Sequence, residues 1–284
     1  MALERKIQRI CRNWRRFLLG ILIFLIIVFF FRQMDKKKMK NNLEFEDPSL
    51  LRRIQEFHLN PPADPRVPYN LTFSHSSYSK HDLYHGVLMK VVLQMKKTRG
   101  FFVEAGALDG EFLSHTMELE KAHDWTGLLV EASPRLIPQL KNKNRRAWVA
   151  DVCLTDKVYD TTEFLTRRKL DEAWKRGSGK VVPHFDPSGT REEYKPEGKV
   201  DCFSLYSLLK AVNVTKIVDL LVLDIEGGEF KVIKSYPFHL LPIKIIAVEY
   251  WLLLESPDSL VKFLKGKGYR LEYRGESDMI FILN

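Results

Sequence analysis

Cysteine is scarce in this 284-residue chain, with three in all, and none stands in a C-x-x-C pair. H-E-x-x-H and G-x-S-x-G are also missing. Zinc ribbons, metalloprotease helices and serine-hydrolase elbows are thereby set aside, and no metal is expected. No internal repeat is present. Basic charge is lacking away from the N-terminus: the formal net charge is +9, but eleven basic and two acidic residues fall in the first forty. The rest of the chain is formally neutral and has no electrostatic footprint for nucleic acid, so no such partner is expected.

Polar side chains are missing altogether from Phe17 to Phe31, FLLGILIFLIIVFFF. At 1.5 Å per residue this run covers about 22 Å against roughly 30 Å of hydrocarbon, so Trp14 and snorkelling arginines would complete a crossing. A short span suits thin early secretory membranes. The rival is a cleaved signal peptide, but the run ends in Phe29, Phe30, Phe31 and Arg32 without a small-residue cleavage site. The expectation is therefore a short basic cytosolic tail (1–16), one uncleaved signal anchor (17–31) and a type II chain with its C-terminal part lumenal. Six basic residues before the run and five soon after it nearly balance, so the positive-inside rule supports this orientation only narrowly. Two sequons beyond the run, Asn70-Leu71-Thr72 and Asn213-Val214-Thr215, are glycan acceptors if lumenal. Cys11 sits beside the membrane, where S-acylation is available. Cys153 and Cys202 are either one disulfide or two buried thiols.

Residues 32–80 read as a stem or linker, with a lysine cluster, Pro61, Pro62, Pro65 and Pro68, the polar run from Ser74 to Lys80, and a short helix near Pro48 to Phe57. From residue 81 the pattern changes. Leu83, Val87, Leu88, Val91, Val92 and Met95 recur at helical spacing, and strands then alternate with helices. The strands expected are Phe101 to Glu104, Trp125 to Glu131, Ala147 to Val149, Ile217 to Asp224 and Ile243 to Tyr250, before a hairpin of Tyr269 to Tyr273 and Met279 to Leu283. Ser114, Ser204 and Ser256-Pro257 are helix starts, and Pro134 opens another. Gly177 to Gly198 reads as an insertion or lid. The fold class is α/β: a Rossmann-like, doubly wound, mostly parallel sheet ending in an antiparallel hairpin, with ligand expected at the carboxyl ends of the strands.

Three strand ends carry acids. FFVEAGALDG holds Glu104, Gly106, Asp109 and Gly110; LLVEASP ends on Glu131; LVLDIEGGEF holds Asp224, Glu226, Gly227 and Glu229. A phosphate loop would pair glycines with a basic residue, whereas acids suit a cationic or hydroxyl-rich ligand such as S-adenosylmethionine. An acidic residue closing the second strand is placed to accept hydrogen bonds from ribose hydroxyls. Asp151, just past the third strand, is assigned to the adenine edge. Asp224 or Glu226 is the candidate base for an acceptor hydroxyl. His115, His123 and His239 read as structural.

With these motifs and the closing IIAVEYW, residues 81–284 resemble the FkbM-type methyltransferase family, and within it the membrane-anchored branch typified by the protein Star. The family resemblance implies a class I methyltransferase fold and S-adenosylmethionine as cofactor. It places Glu104, Gly106, Asp109 and Glu131 in the cofactor motifs, and Asp224, Glu226, Gly227 and Glu229 in a D-x-E-G-x-E element at the reacting end. The Star-like branch implies a single-pass protein of the endoplasmic reticulum, Golgi, endosome or plasma membrane that helps membrane cargo such as growth-factor precursors leave the endoplasmic reticulum. The alternative is an active O-methyltransferase on a small molecule or glycan.

Overall fold

The computed structural model describes residues 44–72, 83–167, 179–181 and 194–284. The tail (1–16), the apolar run 17–31, the first part of the stem, Ser74 to Lys80 and most of 177–193 lie outside the described residues. Among the described residues no helix is long and apolar enough to cross a membrane.

Helix α1 (Pro48–Phe57) starts where Asp47 accepts the Ser49 N–H at 2.8 Å and Pro48 occupies the first turn. Its Leu50 and Ile54, four apart, are both fully buried, and strand β1 (Leu59–Asn60) follows. Helix α2 (Leu83–Gln94) buries Leu88, Val91 and Val92 and feeds β2 (Phe101–Ala105). Then come α3 (Met117–His123), β3 (Thr126–Glu131), α4 (Ile137–Lys141), β4 (Trp148–Asp151), β5 (Cys153–Leu154), β6 (Tyr159–Arg167), β7 (Lys180–Val181) and β8 (Tyr194–Phe203). The C-terminal half adds α5 (Leu205–Ala211), β9 (Val218–Leu223), α6 (Glu229–Ser235), β10 (Ile243–Glu249), α7 (Pro257–Gly266), β11 (Tyr269–Arg274) and β12 (Asp278–Leu283).

Eight strands form one sheet in the order β1-β4-β3-β2-β9-β10-β12-β11. The five from β4 to β10 are parallel, with antiparallel β1 at one edge and the β11–β12 hairpin at the other. Strand order runs outward from β2 towards β4 and, after a crossover, from β9 towards β12. The switch point therefore lies between β2 and β9, where a doubly wound sheet opens a crevice at its carboxyl edge. Burial explains why these segments are strands: every residue of VDLLVL in β9 is buried, as a strand covered on both faces requires. The one charge in that run, Asp219, accepts from Lys97 Nζ at 2.5 Å and from the Phe101 N–H at 2.8 Å.

Three expectations are corrected. Residues 44–72 are part of the domain rather than a stem, because α1 has a buried face and Leu59 and Asn60 pair with Ala150 and Val149. Within Gly177 to Gly198, Lys180–Val181 and the start of Tyr194–Phe203 are strand, belonging to a second sheet ordered β5-β8-β6-β7 in which β6 and β8 pair along most of their length. Ser114 caps no helix; Thr116 precedes α3, and the Ser114 hydroxyl donates instead to buried Glu104 at 2.9 Å. Cys153 and Cys202, opposite one another on parallel β5 and β8, are joined by a disulfide.

Candidate functional site

At the carboxyl edge of the large sheet lies a cavity of about 210 Å³. Gly106, Leu108, Glu131, Ser133, Asp224 and Glu226 line it from the loops after β2, β3 and β9. Phe164, Thr166, Lys180 and Val181 close it from the second sheet, beside the disulfide residue Cys153.

The loop after β2 is shaped by the acids within it. Glu104 is buried and accepts from Ser114 Oγ at 2.9 Å, Thr116 Oγ1 at 2.6 Å and the His115 N–H at 2.6 Å. Asp109 accepts from the N–H groups of Glu111 and Phe112 at 2.9 and 2.7 Å. The Gly110 carbonyl accepts from buried Arg145. None of these three lines the cavity: they hold the loop's shape. Gly106 does line it, with φ +87°, and a Cβ there would overlap the Asp224 carbonyl oxygen. Glycine lets the ends of β2 and β9 approach across the switch point. Leu108, Leu113 and Glu226, all on the cavity wall, are non-glycine residues with φ between 52° and 62°; left-handed backbone of this kind is retained where surrounding structure enforces it.

Glu131 closes β3 and faces the cavity. Its Oε2 accepts from the Leu108 N–H at 2.8 Å and its Oε1 from the Ser133 N–H at 2.7 Å, and with the Ala132 amide also bearing on it the carboxylate keeps acceptor capacity for a ligand hydroxyl. Burial pushes its carboxyl up to about 7, against the opposing effect of the Ser133, Leu108 and Ala132 amides. Asp151 is elsewhere: it pairs with His58 Nδ1 at 3.2 Å and Lys141 Nζ at 2.8 Å, and the cavity wall beyond β4 is Val152 and Cys153.

At the other end, Asp224 is exposed at the mouth of the cavity and lines its wall. Glu229 is turned away into the loop, where its carboxylate accepts from the N–H groups of Ile225 at 2.8 Å and Gly227 at 3.1 Å; burial pushes it up to about 7. Glu249, within IIAVEYW at the end of β10, joins these acids although no motif spacing marks it. Asp224, Glu229 and Glu249 each bring a carboxylate oxygen within 4.8 Å of the others. That spacing would admit a cation, but both Glu229 oxygens are committed to backbone amides. Ser133 and Arg135 also line the cavity, with Glu197 of β8 accepting from both, at 2.9 and 3.2 Å. No spacing signal in the sequence links them.

The arrangement can bind a ligand with hydroxyls at Glu131 and positive charge toward Asp224 and Glu226, and can receive a proton at Asp224. Residues 104–271 match the family described as the methyltransferase FkbM domain. No match is found among curated proteins. Among solved structures, the METTL16 methyltransferase domain is 13% identical with a TM-score of 0.41, over 85% of this chain and 81% of that one. Precorrin-6y C5,15-methyltransferase from Geobacter metallireducens is 11% identical with a TM-score of 0.38, over 75% and 94%. The human methyltransferase 10 domain containing protein is 11% identical with a TM-score of 0.35, over 84% and 98%.

Proposed function

The chain belongs to the methyltransferase FkbM domain family, and from that premise we propose that its cavity binds S-adenosylmethionine for O-methylation of a small molecule or glycan. The observation that carries this is Glu131, a buried carboxylate at the end of β3 that lines the cavity and is held in place by backbone amides with acceptor capacity remaining. The residues fit the cofactor: Glu131 would hold the ribose hydroxyls, Leu108 and Val152 would flank the adenosine, and Asp224 and Glu226 would face the positively charged end. When bound there, S-adenosylmethionine would supply an electrophilic methyl group. The chain's own part is to orient an acceptor hydroxyl in line with that group and to receive its proton at Asp224. Glu226 is the other candidate for that proton. Glu229 acts by holding the loop that carries both. Titration of the full chain with S-adenosylmethionine tests this. Binding that weakens on Glu131→Ala, and as pH falls below about 7 where Glu131 protonates, supports it; no heat at millimolar cofactor refutes it.

A second reading, the Star-like one, keeps the same domain behind a type II anchor at 17–31, in the lumen of the early secretory pathway, acting in export of membrane cargo such as growth-factor precursors. The disulfide favours it, since such bonds persist in oxidising compartments. Asn70 and Asn213 are both exposed, as glycan acceptors must be. Endoglycosidase should shift the mobility of the protein, and Asn70→Gln with Asn213→Gln should abolish the shift. An unglycosylated protein would overturn the lumenal placement.

A further inference from the structure

Strands β9 and β10 run in parallel with Leu223 paired to Val248, so the residues that follow, Asp224 and Glu249, end neighbouring strands side by side. With Glu229 committed to the loop amides, their carboxyl groups are left to each other. Glu249 Oε2 is buried and has no hydrogen-bond partner. Among the described residues, the charges that bear most on them are acidic. The main charges bearing on Glu249 are Asp224, Glu226 and Glu229, and those bearing on Asp224 are Asp278 and Glu104, besides its hydrogen bond with Glu249. Asp224 is exposed and Glu249 half-buried with Oε2 shut away from solvent; two ionised carboxylates this close repel, whereas one proton between them turns the contact into a charge-assisted hydrogen bond.

We propose that Asp224 and Glu249 share a single proton carried on Glu249, which makes Glu249 the positioning residue that keeps Asp224 ionised and aimed into the cavity. Burial comes first in favouring this state, and the Asp224 charge second; both push the Glu249 carboxyl far above the ordinary carboxylate range. The pair titrates as a unit. Glu249 donates its O–H to one Asp224 oxygen, and the remaining lone pairs of Asp224 stay available to an acceptor hydroxyl. A base must be ionised to take a proton, and Asp224, exposed at the cavity mouth, stays ionised while Glu249 carries the shared proton. What Asp224 then does rests on the cofactor reading; the shared proton concerns the protein alone.

Infrared spectroscopy of the full chain in H₂O and D₂O, with no cofactor present, tests it. At pH 9 Glu131 and Glu229, pushed up to about 7, have ionised, so a deuterium-sensitive carboxylic-acid carbonyl band at that pH reports the shared proton. The band should vanish in Glu249→Gln, survive in Glu131→Gln, and titrate away at lower pH in Asp224→Asn, where the neighbouring charge is gone. Should Glu249→Gln not fold, the parent band and the Asp224→Asn shift still decide the matter. The proposal is overturned by the absence of any such band in the parent at pH 9, by a band that persists in Glu249→Gln, or by magnesium or manganese abolishing it, which would make the pair a cation site. Failure to bind S-adenosylmethionine would leave the band unchanged, so the two claims fail separately.

Discussion

Replacing Arg145 by methionine should destabilise the domain, by an amount that its buried contacts set. Its side chain and that of Glu120 are both fully buried, with Nε to Oε2 at 2.9 Å. The same guanidinium donates to Thr116 Oγ1 at 3.1 Å, to Ser114 Oγ at 3.3 Å and to the Gly110 carbonyl. It thus ties α3 to the loop after β2. Arg145→Met removes those donors and leaves Glu120 a buried charge without a counter-ion, a change that costs about 3–5 kcal/mol. In a domain of this size each kcal/mol shifts Tm by roughly 2–4 °C, so the expected fall is about 6–20 °C. The assay is thermal unfolding of the full chain in detergent, followed by ellipticity at constant pH. Glu120→Gln, added to Arg145→Met, should recover most of the loss, because glutamine still accepts from the Arg146 N–H, now at 2.6 Å from Oε1, without a stranded charge. A fall of under about 2 °C for the single change, or a double variant as unstable as the two single losses summed, would refute the reasoning.

Four further outcomes follow from the structure. Burial pulls the His58 imidazole down, but the hydrogen bond with Asp151 on β4 and the nearby Asp201 carboxylate on β8, 3.4 Å from Nε2, outweigh it and raise its pKa above 6.5. The stability contributed is therefore full below about pH 6.5 and lost as pH rises through the folded-state value; His58→Gln should be destabilised most at pH 5.5, with the gap to the parent narrowing by pH 9 in matched melts. Cys202→Ser opens a link spanning 49 residues, worth about 4 kcal/mol in the chain-entropy model, so denaturant midpoints should fall and reductant should affect only the parent. Gly86→Ala, on an exposed position of α2 with nothing within 4 Å, should stabilise by up to about 1 kcal/mol, whereas Gly106→Ala, with φ +87° and the Asp224 carbonyl in the way, should destabilise by about 1–3 kcal/mol or more.

The parallel sheet was legible because its strands are short apolar runs ended by acids, and Phe101–Ala105, Thr126–Glu131, Val218–Leu223 and Ile243–Glu249 fall where those runs stand. The segment before residue 81 was misread because prolines and charges outnumber its core positions. Leu50 and Ile54 make a helix face only when α5 is there to receive it, and Gln55 reaches the Ala211 carbonyl at 2.8 Å across more than 150 residues. The second sheet was illegible for a similar reason: β6 and β8 carry polar residues throughout, and their pairing is long-range. Within the site, sequence spacing brought Glu131, Gly106, Asp224 and Glu226 to one cavity. It could not tell which acids face a ligand and which serve the backbone. Glu104, Asp109 and Glu229 are satisfied by nearby N–H and hydroxyl groups, and that allocation depends on loop conformation. Glu249 was hidden by the strand crossing that sets it beside Asp224.

The central claim is that the cavity between the ends of β2, β3 and β9 is a cofactor site. A crystal structure of the protein with S-adenosylhomocysteine tests it most directly. The account predicts the nucleoside in the cavity, both ribose hydroxyls on Glu131 and the amino-acid end toward Asp224 and Glu226. A ligand seated elsewhere, or a cavity that stays empty at saturating ligand, would contradict it.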